Sequence, residues 1–296
     1  MSHRALIVAG GCALALAAVA APSEATFPGK NGKIVFAGDA GGNRGGLILL
    51  DPGTGNRRVL TRSPRFVQND GAPAFSPSGR RIAYEHFGGN PSRMHIDVIG
   101  VDGRGKRQLT KRHDSFDPAF SPNGRRIAFD SSRHRKSFVF VMRRDGSDVR
   151  KLVKGSSPAF SARGLIAFEA GREIVAMRLN GSHRRTVARG SFPSFAPDGK
   201  RVLFVNRDAN DVDQLFVARA DGSHRRQITS NSSSNLLLAD PSFSPDGTQI
   251  VLEGEDITGG EGESDDIYVV NADGTGQHQI TNDGGSGSPD WGPAPR

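Results

Sequence analysis

Four aspartates stand just upstream of a short motif, Pro-x-Phe, that recurs along the chain. Asp117 and Asp240 directly precede its proline, and Asp70 and Asp114 lie a few residues before it. Carboxylate oxygens are the ligands that hard cations such as Ca²⁺ take in proteins. If the fold brings these segments together, the four side chains form a binding site, with Asp117 and Asp240 as candidate calcium ligands. The alternative is local, because an aspartate before a proline also serves as an ordinary turn or capping residue.

Three histidines, His86, His113 and His134, lie in the same part of the chain as Asp114 and Asp117. Imidazole and carboxyl groups together can transfer protons or hold a metal. These histidines are therefore the candidate catalytic residues if the protein is an enzyme, although no two of them have the short spacing typical of zinc ligands. Two further histidines recur at one place in Gly-Ser-His-Arg-Arg and are assigned to surface turns: His183 and His224.

The placement of these side chains depends on a repeat that covers almost the whole chain. The stretch PAFSPSGRRIAYEH begins at Pro73 and returns with variations, the last time only in part, as PDWGPAPR, from five further prolines: Pro118, Pro158, Pro193, Pro241 and Pro289. The aromatic residues of successive copies are 35 to 48 residues apart. A period of about 40 to 50 residues is typical of β-propeller blades, each of which is a four-stranded antiparallel sheet.

Each copy divides into four strands. Pro-x-Phe is a short first strand, Ser-Pro-x-Gly turns the chain, and the second strand, for example 80–85, is apolar on both faces, as packing between sheets requires. A third strand ends in Asp-Gly or Asn-Gly, which supply positive φ for the turn into the fourth. Strands two to four also occur at 32–37, 45–51 and 57–61, and the lone first strand at 289–291 completes them. The sequence thus predicts an all-β, six-bladed β-propeller of four-stranded antiparallel blades, closed by the C-terminal strand.

The first residues have the layout of an export signal. His3 and Arg4 precede the apolar run ALIVAGGCALALAAVAA, and small residues follow up to Ala25. The run is short and alanine-rich for a membrane anchor. We predict a signal peptide at 1–25 and a periplasmic or extracellular protein with no membrane span in its mature chain. Cys12, the single cysteine, lies in this run, so the mature chain is expected to have no disulfide.

The repeated P-x-[FW]-S-P-[DNS]-G-x-x-[IV]-[AV]-[FY], followed by D-G-[ST]-x-x-x-[QRK]-[IL]-T, resembles the propeller repeat of the TolB-like, WD-like repeat family over residues 30–293. The resemblance implies an exported propeller that binds a partner in the cell envelope. In that family an α/β domain precedes the propeller. Here only residues 26–31 separate the predicted signal from the repeats, so that domain is expected to be missing, and the propeller domain is expected to cover 26–296.

The two faces of such a ring differ. The loops from second to third strand, and from fourth strand to the next blade, emerge on one side, which we call the loop face; the short Ser-Pro-x-Gly and Asp-Gly turns emerge on the other, the turn face. Variable loops on a rigid frame are common binding sites. Blade six carries an acidic stretch at 253–266 on the loop face, and the opposite blade carries Arg133, His134, Arg135 and Lys136. We expect Arg133 and Arg135 to contact a ligand; the alternative is that both loops are only solvated.

The formal net charge of +8 comes largely from arginine pairs spread over the repeats. A distributed charged surface, which also discourages pairing of the outer strands, explains them better than nucleic-acid binding. The expected function is a monomeric, non-catalytic binding module for a protein or a cell-wall polymer, with calcium as the candidate cofactor. The alternative is a carbohydrate-active enzyme, a lyase or hydrolase, that uses His86, His113 or His134. A third interpretation is a structural interaction protein whose channel is plugged by apolar side chains.

Overall fold

A computed structural model of the chain describes residues 28–42, 44–63, 70–88, 93–133, 136–232, 235–257 and 264–295. The predicted signal peptide at 1–25 lies outside the described residues, and so do His134 and Arg135. The described residues form 24 β-strands in six four-stranded sheets. None of them forms a helix long and apolar enough to cross a membrane.

The first three blades, in chain order, contain the following strands. Blade 1 consists of β1 (Asn31–Asp39), β2 (Gly45–Leu50), β3 (Arg57–Val59) and the last strand of the chain, β24 (Gly287–Pro293). Blade 2 consists of β4 (Asp70–Phe75), β5 (Arg81–Gly88), β6 (Arg93–Gly100) and β7 (Arg107–Gln108). Blade 3 consists of β8 (Phe116–Phe120), β9 (Arg126–Arg133), β10 (Lys136–Arg143) and β11 (Arg150–Lys154).

The other three blades have the same order. Blade 4 consists of β12 (Ser156–Phe160), β13 (Leu165–Ala170), β14 (Glu173–Arg178) and β15 (Arg185–Arg189). Blade 5 consists of β16 (Ser191–Phe195), β17 (Arg201–Arg207), β18 (Asp213–Arg219) and β19 (Arg226–Gln227). Blade 6 consists of β20 (Leu236–Phe243), β21 (Gln249–Asp256), β22 (Ser264–Asn271) and β23 (His278–Gln279).

The C-terminal strand closes the ring. β24 pairs antiparallel with β1, which gives blade 1 the strand order β24-β1-β2-β3. In this register Trp291 lies opposite Ile34, and the backbone N–H of Ala294 donates to the carbonyl oxygen of Lys30 at 2.9 Å. Because the two ends of the chain pair in blade 1, the inner edge of β1 is not left without a partner strand. The predicted six-bladed architecture and its closure are confirmed.

The apolar core lies between the blades. Alternate residues of a strand face opposite sides, so Ile82 and Tyr84 of β5 pack against blade 1, while Ala83 packs against blade 3. All three are fully buried. Six such apolar clusters are present in the described residues, one between each pair of neighbouring blades. This explains why the second strands are apolar on both faces.

The Ser-Pro-x-Gly turns are built from local hydrogen bonds. In blade 2 the N–H of Ser76 donates to the oxygen of Arg81 at 2.8 Å, and the N–H of Gly79 donates to the oxygen of Ser76 at 2.9 Å. Gly79 has φ of 65°, a conformation that glycine adopts without steric cost. The turns therefore fix the first strands in equivalent positions around the axis.

Candidate binding site in the channel

The residue before the proline of each first strand has a left-handed backbone conformation. Its φ lies between 39° and 54° in all six blades: Ala72, Asp117, Ser157, Phe192, Asp240 and Ser288. The pairing between first and second strand is irregular at this point in every blade. Non-glycine residues held there cost about 1–3 kcal/mol each and often mark functional sites. Six of them in one ring make this the most unusual backbone feature of the described chain.

These six residues line a chamber on the axis of the ring, near the loop face. Its volume is about 150 Å³, and all six first strands contribute to the wall. Asp117 and Asp240 are among the lining residues. Asp70 and Asp114 do not line it. Asp70 is buried between blades 1 and 2, where its carboxylate accepts hydrogen bonds from Thr61 and His86, and Asp114 accepts one from the backbone N–H of Met94 at 3.1 Å.

A second set of carboxyl groups stands behind the ring, on the second strands. Each accepts a hydrogen bond from the backbone N–H of the next blade's pre-proline residue. The four distances lie between 2.6 and 3.2 Å, and the pairs are Glu85 with Asp117, Asp130 with Ser157, Glu169 with Phe192, and Glu253 with Ser288. The bonds join neighbouring blades, and they fix the unusual pre-proline backbone in place.

The electrostatic state of these carboxyl groups is set by burial and by one another. Burial, together with the charge of Asp117, raises the pKa of Glu85 to about 8 and that of Asp130 to about 8. The same two causes raise the pKa of Asp240 to about 7. Burial also raises the pKa of the remaining three: Asp117, Glu169 and Glu253.

The hydroxyl of Ser157 donates to Asp117 at 3.1 Å and its N–H donates to Asp130 at 3.2 Å, so Ser157 lies between these two carboxyl groups. In the described part of the chain, no ion pair links any of the six carboxyl groups to a basic side chain. The cluster is therefore an acceptor for protons or for another cation.

The lining of the channel becomes more apolar toward the turn face. A second chamber of about 100 Å³ is lined mainly by alanines and by aromatic residues of the first strands: Phe120, Phe160, Phe195, Phe243 and Trp291. Among the described residues, aromatic side chains of five first strands surround the axis at this end. The acidic chamber and the apolar one are thus stacked along a single channel.

Asp290 is a channel residue that the sequence analysis did not select. It occupies the middle place of Pro-Asp-Trp in β24, where the other blades have alanine or serine. Its carboxylate accepts hydrogen bonds from the N–H of Phe75 at 2.7 Å and from the hydroxyl of Ser242 at 2.7 Å. Both acceptor oxygens are used, so Asp290 ties the closing strand to blades 2 and 6.

The candidate catalytic histidines do not form one group. Nδ1 of His86 lies 2.5 Å from Oδ1 of Asp70, and the ring of His86 lies against that of His95, with 5.2 Å between centroids. His113 lies elsewhere, where it lines a groove between blades 2 and 3 together with Arg133. His134 lies outside the described residues.

His95 and Asp97 were missed because HIDVIG fits an ordinary third strand. The available signal was their spacing of two, which puts both polar side chains on one face of a strand. Both are buried. Burial also lowers the pKa of His95, which favours a neutral imidazole.

The charged residues assigned to opposite loops are partly internal. The guanidinium of Arg133 lies 4.1 Å from the ring centre of Phe140. In blade 6, Glu253 faces the channel, and buried Asp266 accepts hydrogen bonds from Gln279, Thr281 and the N–H of Asp283. These two acids therefore belong to the interior, because buried N–H and O–H donors need acceptors. Arg135, the other basic residue expected to contact a ligand, lies outside the described residues.

Comparison with known proteins relates the fold to solved propellers. No family model matches the sequence, and no curated protein matches it. TolB from Acinetobacter baumannii superposes with a TM-score of 0.73 at 18% identity, over 89% of this chain and 67% of that one. A TolB from Agrobacterium tumefaciens gives 0.68 at 17% identity, over 88% of this chain and 92% of that one.

A more distant structure is an oligogalacturonate lyase in complex with manganese. Its TM-score is 0.54 at 15% identity, over 80% of this chain and 71% of that one. Identities this low relate folds only. The described chain therefore has the TolB-like six-bladed propeller fold that its repeats predict.

Proposed function

We propose that the protein is an exported, non-catalytic binding module whose acidic chamber takes a positively charged group of its ligand at the loop face. The observation that carries the proposal is the cluster of channel carboxyl groups without basic partners in the described chain. The ligand is a protein or a cell-wall polymer that presents an ammonium group, or a calcium ion bound by the same oxygens. The described lining residues offer carboxyl and hydroxyl groups and no imidazole.

The fold supports a binding role in a second way. The chamber lies at the loop face, where connections between strands vary and the frame beneath them is rigid. It is too small, at about 150 Å³, for a drug-sized molecule, which needs a pocket of about 300 Å³ or more. A single side-chain ammonium or a cation fits this volume, with the rest of the ligand lying on the loop face.

Titration calorimetry with hexalysine and with CaCl₂ as probes tests the proposal. We expect binding at pH 8 and low ionic strength that weakens at pH 6, because protons occupy carboxyl groups whose pKa is about 7 to 8. The double substitution Asp117→Asn with Asp240→Asn should weaken binding at least about tenfold by removing two charges from the site.

The matched control moves the same charge change to the turn face. Asp221→Asn with Asp273→Asn also removes two negative charges, but both residues are exposed there. It should leave the affinity within about twofold. If neither probe binds, or if both double variants lose affinity equally, the channel is not the binding site.

A carbohydrate-active enzyme is the alternative, and the His86–Asp70 hydrogen bond beside His95 is the observation that favours it. An imidazole oriented by a carboxylate is a common general base. The enzyme hypothesis predicts that oligogalacturonate is cleaved by the protein and that His86→Ala abolishes the cleavage. A lack of ultraviolet-absorbing unsaturated product or new reducing ends would reject it.

Export is part of the same proposal. The supporting observation is the apolar, small-residue segment at 1–25. Mass spectrometry of the protein recovered outside the cytoplasm should give an N-terminus at Thr26. Recovery of the intact chain from the cytoplasm would contradict it.

A further inference from the structure

Blade 2 differs from the other five blades at one pair of facing residues. The second and third strands of the other blades place two apolar residues opposite each other there: Phe36 and Ile48, Phe129 and Phe140, Phe168 and Val175, Phe204 and Phe216, and Leu252 and Tyr268. In blade 2 the pair is Tyr84 and Asp97. The other five blades show that an apolar pair at this position is sufficient for the fold. A buried carboxylate at this place costs free energy unless a partner compensates it.

Asp97 belongs to a polar group built across three strands of blade 2. The register places Asp70 opposite His86 and His86 opposite His95, so the three lie in one row across β4, β5 and β6. Asp97 lies two residues beyond His95 on the same face. All four side chains are described, and only His86 is appreciably exposed, at 21%.

Both imidazoles are held by their Nδ1 atoms. Nδ1 of His86 lies 2.5 Å from a carboxylate oxygen of Asp70, and Nδ1 of His95 lies 3.2 Å from the carbonyl oxygen of Arg93. Both partners accept, so each Nδ1 carries the hydrogen and each Nε2 keeps its lone pair. Histidines that bind metals are held in this way, with the second nitrogen donating to a carboxylate or a carbonyl.

The free nitrogen of His95 faces a carboxylate oxygen of Asp97, and the buried hydroxyl of Tyr84, the residue opposite Asp97, also has no hydrogen-bond partner among the described residues. Nε2 of His95 lies 3.4 Å from Oδ1 of Asp97. Oδ2 of Asp97 lies 3.4 Å from Nζ of Lys106, whereas Oδ1 has no hydrogen-bond partner among the described residues. Asp97 is only 2% exposed. Two buried lone-pair atoms at this separation repel each other unless a proton or a metal cation lies between them.

A glycine, Gly88, lies beside the ring of His86. A Cβ atom at Gly88 would lie 3.2 Å from Nε2 of His86 and 4.0 Å from Cε1 of His95. A side chain there would press on the Nε2–Cδ2 edge of His86, beside the nitrogen that carries the lone pair. Gly88 does not have positive φ, so the backbone does not require glycine at this place.

We propose that Nε2 of His86, Nε2 of His95 and Oδ1 of Asp97 bind a divalent transition metal of the zinc class, with Asp70 positioning His86. His86, His95 and Asp97 each offer one ligand atom within 4.8 Å of the other two. The 3.4 Å between His95 and Asp97 matches the edge of a tetrahedron with arms of about 2.0–2.1 Å. Two nitrogen ligands select zinc, cobalt or nickel over calcium. Three protein ligands leave the fourth coordination position for water or a ligand. The site is separate from the channel and does not depend on its proposed function.

Metal titration of the chelator-treated protein tests the assignment, with ZnCl₂ in calorimetry and CoCl₂ in absorption spectroscopy. We expect one tight site and the intense visible bands of four-coordinate cobalt. His95→Gln and Asp97→Asn should each lower the affinity at least about 100-fold, since each removes a ligand, and Asp70→Asn should lower it about 10–100-fold. His183→Gln, which removes a histidine from an exposed turn on the other face, is the matched control and should have no effect.

Gly88→Ala tests the geometry without removing a ligand. It should reduce zinc affinity at least about tenfold, so that zinc raises its Tm less than that of the starting protein, while circular dichroism remains that of the native fold. Absence of stoichiometric zinc binding in the starting protein overturns the proposal, and so does equal affinity in His95→Gln and His183→Gln. Full affinity in Gly88→Ala would overturn the proposed metal position.

Discussion

The pKa values of aspartates at the two faces of this propeller are shifted in opposite directions. On the turn face, the hydroxyl and the N–H of Ser147 hold the pKa of Asp145 below its ordinary value, and the N–H and hydroxyl of Thr275 do the same for Asp273. Near the loop face, burial and neighbouring carboxyl groups raise the pKa of Asp130 to about 8 and that of Asp240 to about 7. One residue type therefore serves two different purposes in a single repeat.

The difference comes from where the partners are in the sequence. A turn aspartate finds its donor two residues later, so every blade satisfies it independently. The channel carboxyl groups come from blades 2, 3, 4 and 6, and those of different blades meet only when the blades pack around the axis. Their mutual repulsion is a property of the whole fold. In a repeat protein of this kind, the turn aspartates are stabilised within each blade. The carboxyl groups without basic partners are gathered at the axis.

The largest expected effect lies at the point where ring closure and channel charge meet. Asp290→Ala removes the acceptor of the Phe75 N–H and of the Ser242 hydroxyl, and it leaves both donors unpaired in the interior. We expect a loss of about 2–4 kcal/mol in the free energy of unfolding, measured with urea. Asp290→Asn keeps an acceptor of the same shape and should cost less than half as much. Equal losses in the two variants would show that hydrogen bonding is not the reason.

The pH dependence of stability distinguishes the carboxyl groups of the channel from those of the turn face. Between pH 6.5 and 8 the unfolded chain has released its carboxyl protons, whereas folded Glu85, Asp130 and Asp240, with pKa values of about 8, 8 and 7, still hold some of theirs. The folded state binds more protons, so stability must fall as pH rises through this window. His95, whose pKa is lowered by burial, acts in the opposite direction only below about pH 6.5.

We therefore expect Tm to fall by several degrees from pH 6.5 to pH 8 in a calorimetric series. Asp117→Asn should flatten this slope, because the charge of Asp117 helps to raise the pKa of all three neighbours. Asp273→Asn, on the turn face, should keep the slope of the starting protein, because the pKa of Asp273 is lowered and its carboxyl group does not titrate in this range. A Tm that rises across the window would contradict the proposed state of the channel.

The sequence was sufficient for the fold, because each blade repeats its turns and its apolar second strand, and because the unpaired PDW segment matched the strand missing from blade 1. The place of Asp117 and Asp240 beside the repeated proline also predicted that they lie at the channel, where the structure has them; their role as ligands stays a prediction. The sequence did not identify Glu85 as a channel residue, because that role depends on the backbone of the next blade. Asp70 has the same residue type and a similar place before the proline, but it is two residues further from the chamber and bonds to His86 instead. The locations of Glu85 and Asp70 depend on contacts between blades, which cannot be predicted from the spacing within one repeat.

The smallest predicted effect concerns the backbone of the pre-proline ring. Ala72 has φ of 39° and carries no polar side chain, so Ala72→Gly removes strain without removing a contact of the acidic cluster. We expect a gain of about 0.5–1 kcal/mol, reduced by the greater freedom that glycine gives the unfolded chain. Ala74, two residues later in the same strand, is not in the left-handed region, so Ala74→Gly should instead lose stability by a similar amount. Urea unfolding of both variants measures the difference. A loss at both sites would mean that positive φ at the pre-proline residues costs little free energy. Their conformation would then be determined by the following proline and by the hydrogen bonds of the backbone N–H groups.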